Sequence, residues 1–225
     1  MNDPVPAAAY SHPRTPARLA VLLLGACALA DVVALLVGWS EISLLRHVQA
    51  GGIINDAVAE TVQFRRALIE RIEAVLYAAT VLFYLAWLYR VRRNLPALGV
   101  EDLRFSPGWT LGWWFVPIMN LFRPFQVVSE IWRASDPDRT GSLDWKEAPR
   151  SALLGLWWFF WLAAYLLGNV SLRLSTKATY SVADQLQRDW TGFFSDLAEI
   201  PAAILALAVV LEITRRQEEK HRRRG

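Results

Sequence analysis

Four long apolar stretches constrain this chain more than any other feature of its sequence. They lie near residues 19–39, 72–89, 151–172 and 193–213, and the third of them contains no charged residue. A helix needs about 20 apolar residues to cross the hydrocarbon core of a bilayer, which is ~30 Å thick. Because backbone polar groups in lipid must be hydrogen-bonded within the protein, these stretches predict an all-α membrane protein with four transmembrane helices.

The lysine and arginine residues predict the orientation of the spans. With the N-terminus in the cytoplasm, the cytoplasmic segments carry 17 of the 24 basic residues and the outer segments carry 7. Basic residues are enriched in cytoplasmic connections, so we expect a multi-pass protein of the cell membrane with both termini in the cytoplasm. A five-span alternative, in which residues 109–128 also cross, gives a weaker asymmetry of about 15 to 9.

This topology divides the chain into three parts. Residues 1–16 hold four prolines among alanines and predict a disordered cytoplasmic tail. Residues 17–214 form the membrane domain, and residues 215–225 form a basic cytoplasmic tail that suits anionic lipid. After the first span, Gly51-Gly52 predicts a break, and Asn55 predicts the cap of one long helix from Asp56 to Arg93.

A tryptophan-rich segment, residues 105–125, is the most distinctive part of the cytoplasmic middle. Three prolines interrupt it, and Trp109–Phe122 would reach only about 21 Å as a helix, which is too short to cross. Tryptophan prefers the headgroup level of a membrane. We therefore expect residues 105–134 to be interfacial or re-entrant and to end in an amphipathic helix with Ile131 on its apolar face and Glu130 on its polar face.

The tryptophan-rich segment supplies the first candidate site. Aromatic side chains offer a large contact area, and the sequence contains no catalytic motif that competes for the role. We therefore expect a non-enzymatic protein without cofactor that binds lipid or an unidentified protein partner. The candidate residues are Trp109, Trp113, Trp114, Pro117, Asn120, Arg123 and Pro124.

Several motifs of the chain are shared with a known family. They are residues 87–95, 106–117, 120–124 and 130–135, with further similarity at residues 154–158 and 213–219. In these motifs the chain resembles a bacterial membrane family known as domain of unknown function 4328, over roughly residues 20–219. The resemblance implies a multi-helix membrane protein and supplies no activity, substrate or catalytic residue. Pro96 departs from the residue expected there, which leaves the end of the second span open.

Three carboxylates inside the predicted spans, Asp31, Glu73 and Glu199, form the second candidate site. A charge at mid-bilayer costs roughly 2.5–3.5 kcal/mol on insertion scales, so such residues usually face the bundle. Helical rise places the three at similar depth, and Asp196 lies one turn from Glu199. They predict an ion or proton site, and hence the alternative of a small cation- or proton-coupled transporter or channel. A structural interpretation, in which Arg71, Arg173 or water satisfies them, also stands.

The remaining features indicate fewer functions. Residues 136–147 follow the spacing of a calcium-binding loop, but Pro137 and Thr140 depart from it, and an acidic turn is the preferred interpretation. The three histidines are far apart in sequence, so we expect no metal site, and the basic residues adjoin the spans, which argues against nucleic acid. Because four spans enclose a polar interior poorly, we also expect a homo-oligomer.

Overall fold

The protein is built from α-helices. A computed structural model describes residues 9–176 and 181–224, and within these ranges it contains no β-strand. Two short 3-10 helices, Met119–Leu121 and Asp144–Glu147, accompany six α-helices. The α-helices are α1 (Arg14–Gln49), α2 (Asp56–Ala97), α3 (Pro107–Gly112), α4 (Arg123–Ala134), α5 (Ala152–Ser175) and α6 (Val182–Arg222). The predicted all-α class is confirmed.

Four of these helices, α1, α2, α5 and α6, are long and apolar enough to cross a membrane. Their most apolar 18-residue windows have mean hydropathies between 1.5 and 2.6, and no more than 33% of any window is buried inside the protein. Exposed apolar side chains are suited to contact with lipid tails. Lipid tails form no hydrogen bonds with the backbone, and a helix satisfies its own backbone polar groups. The four helices correspond to the four predicted spans, and the protein is an all-α membrane protein with four helices of transmembrane length.

Two of the four helices are much longer than a span. Helix α2 has 42 residues and α6 has 41, which corresponds to about 60 Å each at 1.5 Å per residue. The predicted long helix from Asp56 is confirmed, and it continues through Pro96 to Ala97. Helix α6 likewise continues through Pro201, so the residues from Val182 onward and the fourth predicted span belong to one helix.

The residues between α2 and α5 contain no long helix. Helix α3 has 6 residues, and α4 has 12, which is about 18 Å of helix. Neither reaches the length that a bilayer crossing requires. The structure therefore supports four spans and gives no support to the five-span alternative.

The described chain divides into two compact units. The first comprises residues up to Leu22 together with residues 80–155 and 205 onward, and the second comprises residues 23–79 and 156–204. The core of the first unit contains fully buried apolar side chains from α2, α4 and α6. They include Trp87, Leu88, Val91, Val127, Val128, Ile131, Val209 and Ile213.

Buried hydrogen bonds also join the helices of the first unit. Trp87 Nε1 donates to Thr214 Oγ1 at 3.0 Å, and Gln217 Nε2 donates to the carbonyl oxygen of Val91 at 2.8 Å. At the N-terminus, the backbone N–H of Ser11 donates to Asn94 Oδ1 at 3.1 Å, and α1 begins at Arg14. The predicted disordered tail thus includes residues that the structure places in order: Ser11 contacts the core, and residues 14–16 lie in α1. Residues 1–8 lie outside the described residues.

The second unit begins with the remainder of α1 and turns at Gly51, where φ is +89°, a conformation that glycine adopts without strain. Asn55 Oδ1 then accepts a hydrogen bond from the backbone N–H of Ala57 at 3.0 Å, as its predicted capping role requires. Small residues allow close helix approach: a Cβ on Gly168 of α5 would lie 3.3 Å from Ser195 Oγ of α6.

Candidate functional site

An acidic cavity of about 450 Å³ lies within the second unit. We use this name for the cavity whose wall carries Asp31 of α1, Glu73 of α2, and Asp196 and Glu199 of α6. The structure therefore brings together the three carboxylates that the sequence singled out and Asp196, which the sequence placed one turn from Glu199. Four helices are needed to build this wall, because α5 contributes Tyr165 and Gly168.

Asp31 is the most enclosed of these carboxylates. This residue is only 5% exposed, and the Oδ2 atom of its side chain is buried without a hydrogen-bond partner. Glu73 Oε1 is likewise buried without a hydrogen-bond partner. Glu73 and Glu199 line the same cavity as Asp31. An ionised carboxylate in this position needs a cation, because a buried charge without a partner is costly.

No basic residue among those described lines the acidic cavity, and none forms an ion pair with Asp31, Glu73, Asp196 or Glu199. The fifth carboxylate of the wall, Glu70, pairs with Arg66 at 2.9 Å. Arg71 and Arg173 were the basic residues that, in the structural interpretation, would satisfy these carboxylates. Both are exposed, and neither lines the cavity. The Ser195 hydroxyl lies 3.4 Å from Glu199 Oε1, and it donates to the carbonyl oxygen of Ala164 at 3.0 Å.

A second cavity of about 530 Å³ in the same unit shares Glu73, Asp196 and Glu199 with the acidic cavity. Arg66 of α2 lies on its wall and joins three helices. Its Nη1 atom is 2.9 Å from Asp189 Oδ1 and 3.3 Å from Glu41 Oε2, and its Nε atom is 2.9 Å from Glu70 Oε1. Sequence analysis missed this network. Only the Arg66–Glu70 pair, four residues apart on one helix, is visible in the sequence.

In the ranges 9–176 and 181–224, no group of three or more histidine, cysteine, aspartate or glutamate side chains is arranged to hold a metal ion. In the segment of residues 136–147, three carboxylates contact protein groups. Asp138 pairs with Arg223 at 2.8 Å, Asp144 Oδ2 accepts from the backbone N–H of Gly141, and Glu147 lies 3.9 Å from Arg139.

The residues of the tryptophan-rich segment occupy two environments in the first unit. The exposed side chains include Trp109 and Pro117, together with Phe115, Ile118 and Phe122, which the sequence-based candidate list omitted. Pro124 is buried in the first turn of α4, and Trp113, Trp114, Asn120 and Arg123 are half-buried. The candidate residues thus include both exposed side chains and side chains that anchor the segment.

Specific contacts hold the tryptophan-rich segment in place. Ser106 caps α3 by accepting from the backbone N–H of Trp109 at 3.4 Å, and the Trp114 ring packs edge-on against Tyr84 at 5.6 Å. The guanidinium of Arg123 lies 5.3 Å from the centre of the Trp113 ring, within the range of a cation–π interaction. Ile118 has a φ of 66°, which is unusual for a β-branched residue. Backbone strain of this kind concentrates at functional sites.

Glu130 corrects the prediction for α4. Sequence periodicity placed it on the polar face, but it is only 7% exposed and lies 3.9 Å from Arg92. It accepts hydrogen bonds from the backbone N–H groups of Arg104 at 2.8 Å and Phe105 at 3.4 Å. Burial raises the pKa of the Glu130 carboxyl, and these donors and Arg92 oppose that rise. Glu130 therefore fixes the start of the tryptophan-rich segment.

The comparisons with known proteins identify the family and no activity. Neither the search of curated proteins nor the search of solved structures found a match. The profile of the family described as domain of unknown function (DUF4328) matches residues 51–215, which include α2 to α5 and most of α6. The match covers the tryptophan-rich segment and two of the three predicted carboxylates, and the chain belongs to this family.

Proposed function

We propose that the protein is a non-enzymatic membrane component that binds membrane lipid through the exposed side chains of the tryptophan-rich segment. The observation that supports this most is the exposure of large apolar side chains on a segment that is itself anchored. Phe115 is 69% exposed and Ile118 is 68% exposed, whereas Thr110 and Pro124 on either side are buried. Contiguous exposed apolar residues are typical of membrane or partner contact.

The chemistry of the segment favours lipid. Tryptophan and other aromatic side chains are stable at the headgroup level, where one end of the ring is in an apolar environment and the other is wet. Arg123 adds a positive charge beside Trp113, which suits a lipid phosphate. Binding of a protein partner to the same surface is the alternative, and the experiments below distinguish it from lipid binding.

Site-directed spin labelling measures whether this surface meets lipid. Cysteines would replace Phe115 and Ile118 in a chain whose single cysteine, Cys27, is changed to serine. We expect both labels to collide more with oxygen than with a water-soluble nickel complex in lipid bilayers. A label at Leu143, which is also an exposed apolar residue of the first unit but lies outside the segment, is the control. Labels at residues 115 and 118 that are as water-accessible as the label at 143 would contradict lipid contact.

Lipid retention gives a second test. Phe115→Ser with Ile118→Ser should lower the number of lipids that remain bound in native mass spectrometry, and Leu143→Ser should not. If the same double variant keeps its lipids but loses a protein recovered from membranes, the surface binds a partner protein. If neither lipid nor protein binding changes, the segment has no binding role.

A second candidate function, cation or proton transfer across the membrane, is favoured by the acidic cavity. Asp31, Glu73 and Glu199 line it without ion pairs in the described part of the chain. Intramembrane carboxylates of this kind are typical of ion and proton pathways. Cation or pH flux in proteoliposomes that is lost in Asp31→Asn and Glu199→Gln would favour this function, and equal flux with and without the protein would exclude it.

A further inference from the structure

We infer that the acidic cavity is a binding site for an organic cation that carries an ammonium group. The inference deepens the second candidate function by naming a class of ligand, and it concerns binding rather than flux. Two independent observations support it: a buried carboxylate oxygen of Asp31 that has no hydrogen-bond partner, and the aromatic side chains that complete the wall.

The acidic lining of the cavity and the unpartnered oxygen of Asp31 favour a cationic ligand. The wall holds Asp31, Glu73, Asp196 and Glu199, and no lysine or arginine among the described residues lines it. Glu70 also lies on the wall, but Arg66 already pairs with it at 2.9 Å. Asp31 is 95% buried and leaves its Oδ2 atom without a hydrogen-bond donor. A cationic donor in the cavity would supply the hydrogen bond that Asp31 Oδ2 lacks.

The size and geometry of the cavity favour an organic cation over a metal ion. Calcium and magnesium need several oxygen ligands at about 2.0–2.6 Å, and no such group of side chains exists among residues 9–176 and 181–224. A volume of about 450 Å³ instead lies in the range of small-molecule sites, which is roughly 300–1,000 Å³.

Two aromatic side chains complete the wall. Tyr77 of α2 and Tyr165 of α5 both line the cavity, and the Tyr165 ring stacks on Trp161 with 5.4 Å between ring centres. The face of an aromatic ring attracts an ammonium or alkylammonium group within about 6 Å of its centre. Carboxylates beside aromatic rings match a ligand with a cationic nitrogen and an apolar body.

Equilibrium binding of benzylammonium tests the inference. The protein would be placed in nanodiscs of phosphatidylglycerol, which has no amine in its headgroup, and titrated with benzylamine at pH 7. Benzyl alcohol has the same shape without the charge and is the matched ligand control. We expect benzylammonium to bind at least about tenfold more tightly, since a hydrogen bond to a charged group contributes roughly 1.5–3 kcal/mol.

Variants locate the binding. Asp31→Asn should weaken benzylammonium binding by at least about tenfold, and Tyr165→Leu should weaken it by about threefold through loss of the aromatic face. Glu60→Gln removes an exposed carboxylate of α2 that lies off the wall, so it should leave binding unchanged. If Asp31→Asn does not elute as a monodisperse species, Glu199→Gln takes its place.

The lipid used in the nanodiscs distinguishes two sources of the ammonium group, a lipid headgroup and a free amine. If phosphatidylethanolamine nanodiscs lower the affinity for benzylammonium, a lipid headgroup shares the site, and if they do not, the ligand is a free amine. Equal binding of benzyl alcohol, or unchanged benzylammonium binding in both Asp31→Asn and Glu199→Gln, overturns the inference. Binding of benzylammonium without flux would retain the site and exclude transport, while the spin-label result at Phe115 tests lipid contact separately.

Discussion

Arg66 of α2 and Asp189 of α6 are 123 residues apart in the chain, yet Arg66 Nη1 lies 2.9 Å from Asp189 Oδ1. The Asp189 side chain is 4% exposed, and Arg188 Nη2 approaches the same oxygen at 2.7 Å. Two guanidinium groups thus compensate one buried carboxylate. Arg66 also contacts Glu41 of α1, so this residue ties three helices of the second unit together.

Replacement of Arg66 should destabilise the protein. We expect Arg66→Leu to lower the free energy of unfolding by about 1–3 kcal/mol, because Glu41 then remains buried without its basic partner while Asp189 keeps Arg188. Arg66→Lys should have an intermediate effect, since lysine cannot reproduce the fork that reaches Glu70 and Asp189 together. Thermal unfolding in detergent measures both changes.

Arg65 provides the matched control for Arg66. It is the neighbouring residue on α2, it is exposed, and it forms no ion pair among the described residues. Arg65→Leu should therefore change the free energy of unfolding by less than about 0.5 kcal/mol. If Arg66→Leu and Arg65→Leu are equally stable, the network does not hold the helices together.

Glu130 should make stability depend on pH in a specific direction. Burial raises the pKa of its carboxyl in the folded protein above its usual value. The folded state therefore binds the proton more tightly than the unfolded state does, so the contribution of Glu130 is largest at low pH and is lost as pH rises through the folded pKa. Glu130→Gln removes this titration and keeps an oxygen that accepts from Arg104.

The measurement is the difference in melting temperature between Glu130→Gln and the unchanged protein. We expect this difference to shift in favour of the glutamine variant as pH rises from about 4 to about 7. Gln126→Glu places a carboxylate on the same helix at an exposed position and should give a difference that hardly changes with pH. A pH-independent difference for Glu130→Gln would show that the carboxyl does not titrate abnormally.

The sequence was sufficient to predict the helices, but it was insufficient to predict the contacts between them. Apolar length predicted the spans, and the Gly51-Gly52 break and the Asn55 cap predicted where α2 begins, because these signals are local. Glu130 was placed on the wrong side of α4, since its partners Arg104 and Phe105 come from a preceding loop that periodicity does not describe. Asp31, Glu73 and Glu199 were grouped correctly, because charged residues in spans face the bundle. Arg66 was missed, because its pairs with Glu41 and Asp189 join distant helices.

The orientation of the protein is a further prediction. With both termini in the cytoplasm, a cysteine at Asn55 should react from outside with a membrane-impermeant maleimide, and a cysteine at Thr140 should react only after permeabilisation. Both positions are exposed, so burial does not prevent the reaction. Cys27 would again be replaced by serine. Reaction of the Thr140 cysteine in intact cells would contradict the predicted orientation.

Self-association is the last prediction, and the exposed side chains of α2 motivate it. Phe64 is 70% exposed, and Val58 and Leu68 are also exposed, in the part of α2 that precedes the predicted span. Exposed apolar residues outside the bilayer favour burial away from water, and a second copy of the chain supplies that cover. We expect light scattering after size exclusion to give a protein mass at least twice the chain mass of 25.5 kDa, after correction for detergent. Phe64→Ser with Leu68→Ser should lower that mass, whereas Arg65→Ser should not. A mass near 25.5 kDa over a wide range of concentrations would show that the chain is a monomer.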